Sequence, residues 1–201
     1  EKLPEDGEAL DGVIEIERRE GLDQALESHL AQRVEVTGDP GLQARLLRER
    51  AALLVERLDM PAQAVDVLER LEKLLPRDGA VLVQLASLYQ RLERWTDLSR
   101  VLGRRVELAG SERDRARLWL QLAEVRQVRL DDPAGAVDAL RKAAANDPED
   151  RAPLEQLRRL AAANRDDALH IEALEALAMR SGEADEERDL RRAAGLLRWA
   201  S

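Results

Sequence analysis

Two stretches of this chain spell the same helical hairpin. Arg45 to Leu85 and Arg117 to Leu157 align without a gap, 72 residues apart, and about 18 of the 41 paired positions are identical, where composition alone would give roughly one in ten. The identities fall where a hairpin needs them. Pro61-Ala62 and Pro133-Ala134 open a helix, Ala64-Val65-Asp66-x-Leu68 and Ala136-Val137-Asp138-x-Leu140 supply its buried face, and Pro76-x-Asp78 and Pro148-x-Asp150 stop it and start the next. Arg33-Val34-Glu35-x-x-Gly38 recurs as Arg105-Val106-Glu107-x-x-Gly110, which carries the repeat back beyond the hairpin. Repeated hairpins in register predict stacked units, each touching only its neighbours.

Composition fits a core of packed helices. Of 201 residues 44% are hydrophobic and 36% charged, with no Phe, one Tyr and three Trp, so Leu, Val and Ala must fill the interior. A net charge of -9 opposes general binding to nucleic-acid backbones and to anionic membranes. With no Cys, disulfides, thiolate zinc sites and a cysteine nucleophile are excluded, and either redox compartment is allowed. A cytoplasmic setting is slightly preferred over a periplasmic one. No apolar run reaches membrane-spanning length, so direct membrane insertion is not expected. A start at Glu1 and an end inside an amphipathic pattern read as a segment of a longer protein.

Apolar spacing predicts eleven helices and no strand. Glu8 to Arg19 reads as a short first helix with Leu10, Val13, Ile14 and Ile16 inward, weakened by Gly12. Leu22 to Val36, Leu42 to Leu58, Pro61 to Leu75, Ala80 to Leu92, Trp95 to Leu108, Arg113 to Leu130, Pro133 to Ala145, Ala152 to Ala163 and Asp166 to Met179 follow. Ala184 to Ala200 closes the chain as an unpaired helix with Leu190, Ala194, Gly195 and Leu197 on one face. Links of two to five residues force consecutive helices to run antiparallel. The expected fold is all-α, a right-handed α-solenoid of about five hairpins. Its units span approximately residues 5–38, 41–77, 78–111, 112–149 and 150–182, with a terminal helix over 184–200, all in one array over 1–201.

The half-period and hairpin pattern resemble the tetratricopeptide repeat, whose units are 34-residue helix pairs. Small residues stand where that family packs its helices tightly: Ala51, Ala86, Ala123 and Gly195 in first helices, Ala64 and Ala136 in second ones. Leu47, Leu82, Trp119 and Leu154 match larger core positions, with Leu85, Leu122 and Leu157 one turn on, and Pro76 and Pro148 match the closing proline. The departures are loops one residue longer in some hairpins, Leu98 and His170 where the second helix is usually small, and Arg50, Arg126 and Arg158 at core-type positions. An Arg-, Ala- and Leu-rich texture with only three Lys suggests a bacterial source.

The resemblance implies a non-enzymatic scaffold that binds a protein partner's peptide or helix in a concave groove lined by first helices. Mapped onto this chain, the groove residues are Arg45, Arg48, Gln84, Ser87, Gln90, Arg117, Gln121, Glu124, Gln156 and Arg159, with Ala52, Val55, Val83, Leu120, Gln127 and Glu155 beside them. Glutamine amides hydrogen-bond a peptide backbone in either polarity, and the arginines suit an acidic partner. Some family members clamp a chaperone's terminal carboxylate with paired basic residues and Asn. The matching positions here are Arg48, Ala52, Gln84, Arg117 and Gln121, without the Asn, so that docking is not expected. The alternative function is a structural or oligomerising spacer in a larger multidomain protein, in which the array associates with itself.

Catalysis and cofactors are not expected. No phosphate loop, G-x-S-x-G elbow or H-E-x-x-H pattern occurs. His29 and His170, the only histidines, lie too far apart to share a metal and read as helix-face residues. Trp119 reads as packing, and Trp95 and Trp199 as contacts to neighbouring repeats. Asp131-Asp132, Asp166-Asp167 and Glu186-Glu187 read as turn and cap chemistry. Arg91, Arg94, Arg100, Arg104 and Arg105 form a basic stretch, but interleaved Glu93, Asp97 and Glu107 favour a salt-bridged face over an RNA surface.

Overall fold

The computed structural model describes residues 4–200, and all regular structure among them is α-helical. The chain divides into two compact units, Glu1–Asp97 and Leu98–Ser201. The first holds α1 (Pro4–Glu20), α2 (Asp23–Val36), α3 (Pro40–Glu56), α4 (Pro61–Leu74) and α5 (Gly79–Arg91). Helix α6 (Trp95–Leu108) begins at the end of that unit and lies mostly in the second, with α7 (Glu112–Val128), α8 (Pro133–Asn146), α9 (Ala152–Asn164), α10 (Asp167–Met179) and α11 (Ala184–Ala200). Within each unit every helix packs on its neighbour in sequence, α1 to α5 in one and α7 to α11 in the other. This is the layering of an α-solenoid.

The 72-residue period is carried by the helices themselves. First helices α3, α7 and α11 start at 40, 112 and 184 and are 17 residues long, whereas α5 and α9 are 13 long. From α3 onward long and short first helices thus alternate, differing by four residues or about one turn, which preserves the buried face, whereas α1, at 17 residues, departs from the alternation. The turns alternate too. Gly21, Asp59, Glu93, Asp131 and Arg165 all have positive φ, and all sit between a first helix and its second. In the short turns the next N–H reaches back five residues, Leu22 to Glu17 at 3.0 Å, Arg94 to Tyr89 at 2.8 Å and Asp166 to Ala161 at 3.0 Å. In the long turns it reaches back six, Met60 to Leu54 at 2.8 Å and Asp132 to Arg126 at 2.9 Å. The extra loop residue seen in sequence is this second closure.

Helix starts follow capping chemistry. Asp39, Asp78, Ser111, Asp132 and Asp166 each accept a backbone N–H of the first turn, and Pro40, Pro61 and Pro133 occupy first helical positions. Asp132 folds over its helix so closely that a Cβ on Gly135 would lie 2.0 Å from its carboxylate. The equivalent turn at Met60 has no side-chain cap and tolerates Gln63. Asp131 and Asp166 therefore do turn and cap work, as the acidic pairs suggested.

The small residues sit where tight packing requires them. Ala51, Ala64, Ala86, Ala123 and Ala136 are buried, and Leu47, Leu82, Leu85, Leu122 and Leu157 are almost wholly so. In the second unit Ala123, Ala136, Ala139, Leu140, Leu157, Leu160, Ala161, Leu169 and Ala173 form one cluster, with Trp119 packed against it and Lys142 over the Trp119 ring at 4.7 Å. Arginine ties the joints between hairpins. Arg18 of α1 reaches Glu49 of α3 at 2.8 Å, Arg141 of α8 reaches Glu172 of α10 at 2.5 Å, and Arg151 before α9 reaches Glu186 of α11 at 2.7 Å. Arg151, with the Ser181 hydroxyl, draws the Glu186 carboxyl down to about 2.

Several expectations are corrected. Helix α1 is not short: Gly12 meets nothing within 4 Å and costs only its propensity, while the buried stripe runs through Gly7, Ile14 and Glu17. That register turns Val13 and Ile16 outward. Helix α11 is not unpaired, because it packs on α10, burying Ala194 and placing Leu190 against Ala144, Leu154 and Leu177. Trp199 makes no packing contact of the expected kind; it is 89% exposed on the far side of that face, and Gly195 beside it is also exposed.

Left-handed conformation costs a residue with a Cβ about 1–2 kcal/mol, part of which glycine regains against its greater unfolded entropy. Glu93→Gly and Arg165→Gly are each expected to raise stability by about 0.5–1 kcal/mol, and Leu157→Ala to lower it by about 2–5 kcal/mol, in urea unfolding followed by circular dichroism.

Candidate functional site

All ten groove residues expected from the sequence are exposed: Arg45, Arg48, Gln84, Ser87 and Gln90 in the first unit, Arg117, Gln121, Glu124, Gln156 and Arg159 in the second. The reason lies in helix periodicity. Buried Leu47, Ala51 and Leu54 on α3 leave Arg45, Arg48, Ala52 and Val55 on the opposite stripe, and Leu118, Leu122 and Ala123 do the same for α7.

Each unit has a cleft between its consecutive first helices. In the first unit Ala51, Ala52, Val55 and Glu56 of α3 and Val83, Gln84, Ser87 and Leu88 of α5 enclose about 220 Å³, with Leu68 of α4 at the floor. In the second, Leu120, Gln121, Glu124 and Gln127 of α7 and Gln156 and Arg159 of α9 enclose about 520 Å³. Gln84 and Ser87 are thus brought together in one cleft, and Gln121, Glu124, Gln156 and Arg159 in the other. Arg45, Arg48 and Gln90 lie outside both. Arg117 turns toward a separate cleft with Arg113, Ala116, Asp147, Glu149 and Asp150.

Two of the arginines are already engaged. Arg48 donates to Asp78 at 2.6 Å, and Arg117 lies 3.6 Å from Asp114. Asp78 caps α5 through the N–H groups of Ala80 and Val81. The Arg48 hydrogen bond, against the opposing effect of partial burial and with help from the Val81 and Ala80 amides, holds the Asp78 carboxyl below its ordinary range. By contrast, Glu124 and Arg159 make no hydrogen bond or ion pair among the described residues, although both are charged and exposed in the same cleft.

The basic stretch resolves into a salt-bridged face at the arginines whose partners are defined. Arg91 donates to Asp59 at 2.5 Å, and Arg94 to Asp97 at 2.8 Å while lying over the Tyr89 ring. Arg50, Arg126 and Arg158, at core-type positions, avoid burial by bonding Glu27, the Gly135 carbonyl and Glu155. Arginine's long stem covers apolar surface while its head finds an acceptor.

Sequence reasoning missed one site. His29, expected on a helix face, has Nδ1 at 2.8 and 3.0 Å from the two oxygens of Glu17, which is itself only 6% exposed. Beside them Ala9, Leu10, Val13, Gln32, Glu35 and Val36 line an open cleft of about 530 Å³. The available signal was the spacing of Ile14 and Glu17, three apart on the inward stripe. Among the described residues no three His, Cys, Asp or Glu side chains converge to hold a metal ion, and no helix is long and apolar enough to cross a membrane.

The paired helices, left-handed turns and small residues at the crossings define a tetratricopeptide-like helical repeat. No protein-family model matches the chain, and no curated protein matches it in sequence. Among solved structures it is similar to MamA 41-end from Desulfovibrio magneticus RS-1, at 18% identity, covering 96% of this chain and 98% of that one with a TM-score of 0.47. It is also similar to Pseudomonas aeruginosa pilF, at 15% identity over 96% and 90% with a TM-score of 0.45, and to the P58(IPK) TPR domain, at 12% over 98% and 66% with 0.44. These likenesses concern helix arrangement and extend to no partner or site residue.

Because Asp78 has a depressed folded pKa, its bond to Arg48 contributes stability above the ordinary carboxylate pKa, near pH 4, and that contribution fades as pH falls through the folded value. Arg48→Gln is expected to move the Asp78 pKa upward in a carboxyl-detected NMR titration and to remove this part of the acid-side loss of stability.

Proposed function

We propose that the chain is a non-enzymatic interaction scaffold that binds a segment of a partner protein against the exposed stripes of its first helices. The observation that carries this reading is the second-unit cleft, where three glutamine amides, Glu124 and Arg159 converge without internal partners for the two charges. Exposed amides and unpaired charges on rigid helices are suited to an extended backbone and its side chains. An uncommitted guanidinium favours an acidic group on the partner. The tetratricopeptide resemblance points the same way.

A second reading, association of the array with itself, is favoured by Leu196 at 61% and Trp199 at 89% exposure on α11. Sedimentation separates them, since self-association through that face is lost in Trp199→Ala with Leu196→Ser.

Arg48 and Arg117 are poor probes of the binding stripe, because a glutamate at either would confront Asp78 or Asp114. Gln121→Ala with Arg159→Glu alters the cleft without touching the core. A purified partner recovered by affinity capture is expected to bind this variant at least about tenfold more weakly, a loss of about 1.4 kcal/mol, by isothermal titration calorimetry. Unchanged affinity with unchanged helicity would refute binding at this cleft.

A further inference from the structure

The two clefts are copies of one another that have changed chemistry. At 72-residue spacing Ala52 corresponds to Glu124, Val55 to Gln127, Val83 to Glu155 and Ser87 to Arg159, while Gln84 and Gln156 keep the same residue. The buried side of the same helices keeps Ala51 as Ala123 and Leu85 as Leu157, all four buried, although buried Leu54 and Ala86 give way to Arg126 and Arg158. Packing does not demand the change in the clefts, because every one of the altered cleft positions is at least partly exposed.

The first-unit cleft therefore presents aliphatic walls to solvent, with Val83 at 50% exposure and Ala52 and Val55 half-buried. Its volume of about 220 Å³ lies below the roughly 300–1,000 Å³ of small-molecule sites and suits one inserted side chain. Charge differs between its ends, for exposed Glu56 lines it one residue beyond Val55 and the cations lie at the other end. Arg48 is one turn before Ala52 on α3, and Arg45 is a further turn back. Arg48 is half-exposed despite its bond to Asp78, and Arg45 makes no ion pair among the described residues. An aliphatic pocket with guanidinium groups beyond one end and Glu56 at the other is complementary, toward its cationic end, to an aliphatic side chain adjacent to a carboxylate.

Resting on the scaffold reading above, we infer that the α3/α5 cleft is an anchor site for a partner segment carrying an aliphatic residue next to Asp or Glu, and that the duplicated α7/α9 cleft does not accept that anchor. Apolar insertion supplies the affinity at the first cleft. At the second, Glu124 and Gln127 would be desolvated by the same side chain without gaining a hydrogen bond. The duplication has produced two recognition chemistries on one scaffold.

The probe is a displayed library of random linear peptides about a dozen residues long, an extended-segment ligand of the kind helical and sheet scaffolds bind. Peptides enriched on the wild-type chain are expected to share an aliphatic residue beside Asp or Glu. Their synthetic forms should lose about tenfold or more in affinity against Ala52→Glu/Val55→Gln, which gives the first cleft the second's identities. The same loss is expected when the peptide's aliphatic residue becomes Ser. Circular dichroism should find the α3 variant as helical as wild type. Peptides that bind without the aliphatic-acidic pattern, or that ignore the α3 substitutions, would overturn the anchor assignment and leave segment binding standing. Failure to enrich any peptide would overturn both.

Discussion

The architecture depends on a left-handed residue at each first-to-second helix turn. A helix that ends with one residue at positive φ closes its last carbonyls onto the following N–H groups and sends the chain back along its own side. The protein does this at positions 21, 59, 93, 131 and 165, with glycine only at the first. Asp59, Glu93, Asp131 and Arg165 hold a conformation that their side chains disfavour, so the surrounding packing must impose it. Antiparallel pairing, the close approach at Ala64 and Ala136, and the emergence of a solvent-facing stripe on each first helix all follow from that reversal.

Alternation is the second governing feature. From α3 to α9, first helices of 17 and 13 residues, followed by turns closing over six and five residues, make the two-hairpin block the repeating unit. A one-turn difference in length is silent at the core because helix faces recur nearly every turn. It is not silent at the surface, where it changes which residues lie beside the adjoining loop.

Most of the helices and the buried faces were legible in sequence, because apolar periodicity, prolines and aspartate caps are local signals. Trp95–Leu108 and Pro133–Asn146 illustrate this, each opening within a residue of its predicted start. What escaped was set by the register of one helix on another. Val13 and Ile16 look inward by composition, yet the stripe that faces α2 passes through Ile14 and Glu17, and only the packed pair decides between them. Trp199 was misplaced for a related reason, since hydrophobicity does not say which side of α11 meets α10. The residues expected to line a groove lie at the surface, but their grouping into clefts, and the diversion of Arg48 and Arg117 to nearby carboxylates, needed coordinates.

The arginine ties between hairpins have a mechanical side. Pairs such as Arg18 with Glu49 and Arg141 with Glu172 join residues 31 apart at the surface, the second of them in the unit with the alanine-rich interior. Alanine gives close helix approach but few methyl groups to interlock, so sliding at such a joint is resisted in part by charge. That resistance weakens as salt shortens the Debye length to about 8 Å at physiological ionic strength and less above it. Such a joint has a dry interior and a wet rim, and only the rim answers to the salt around it.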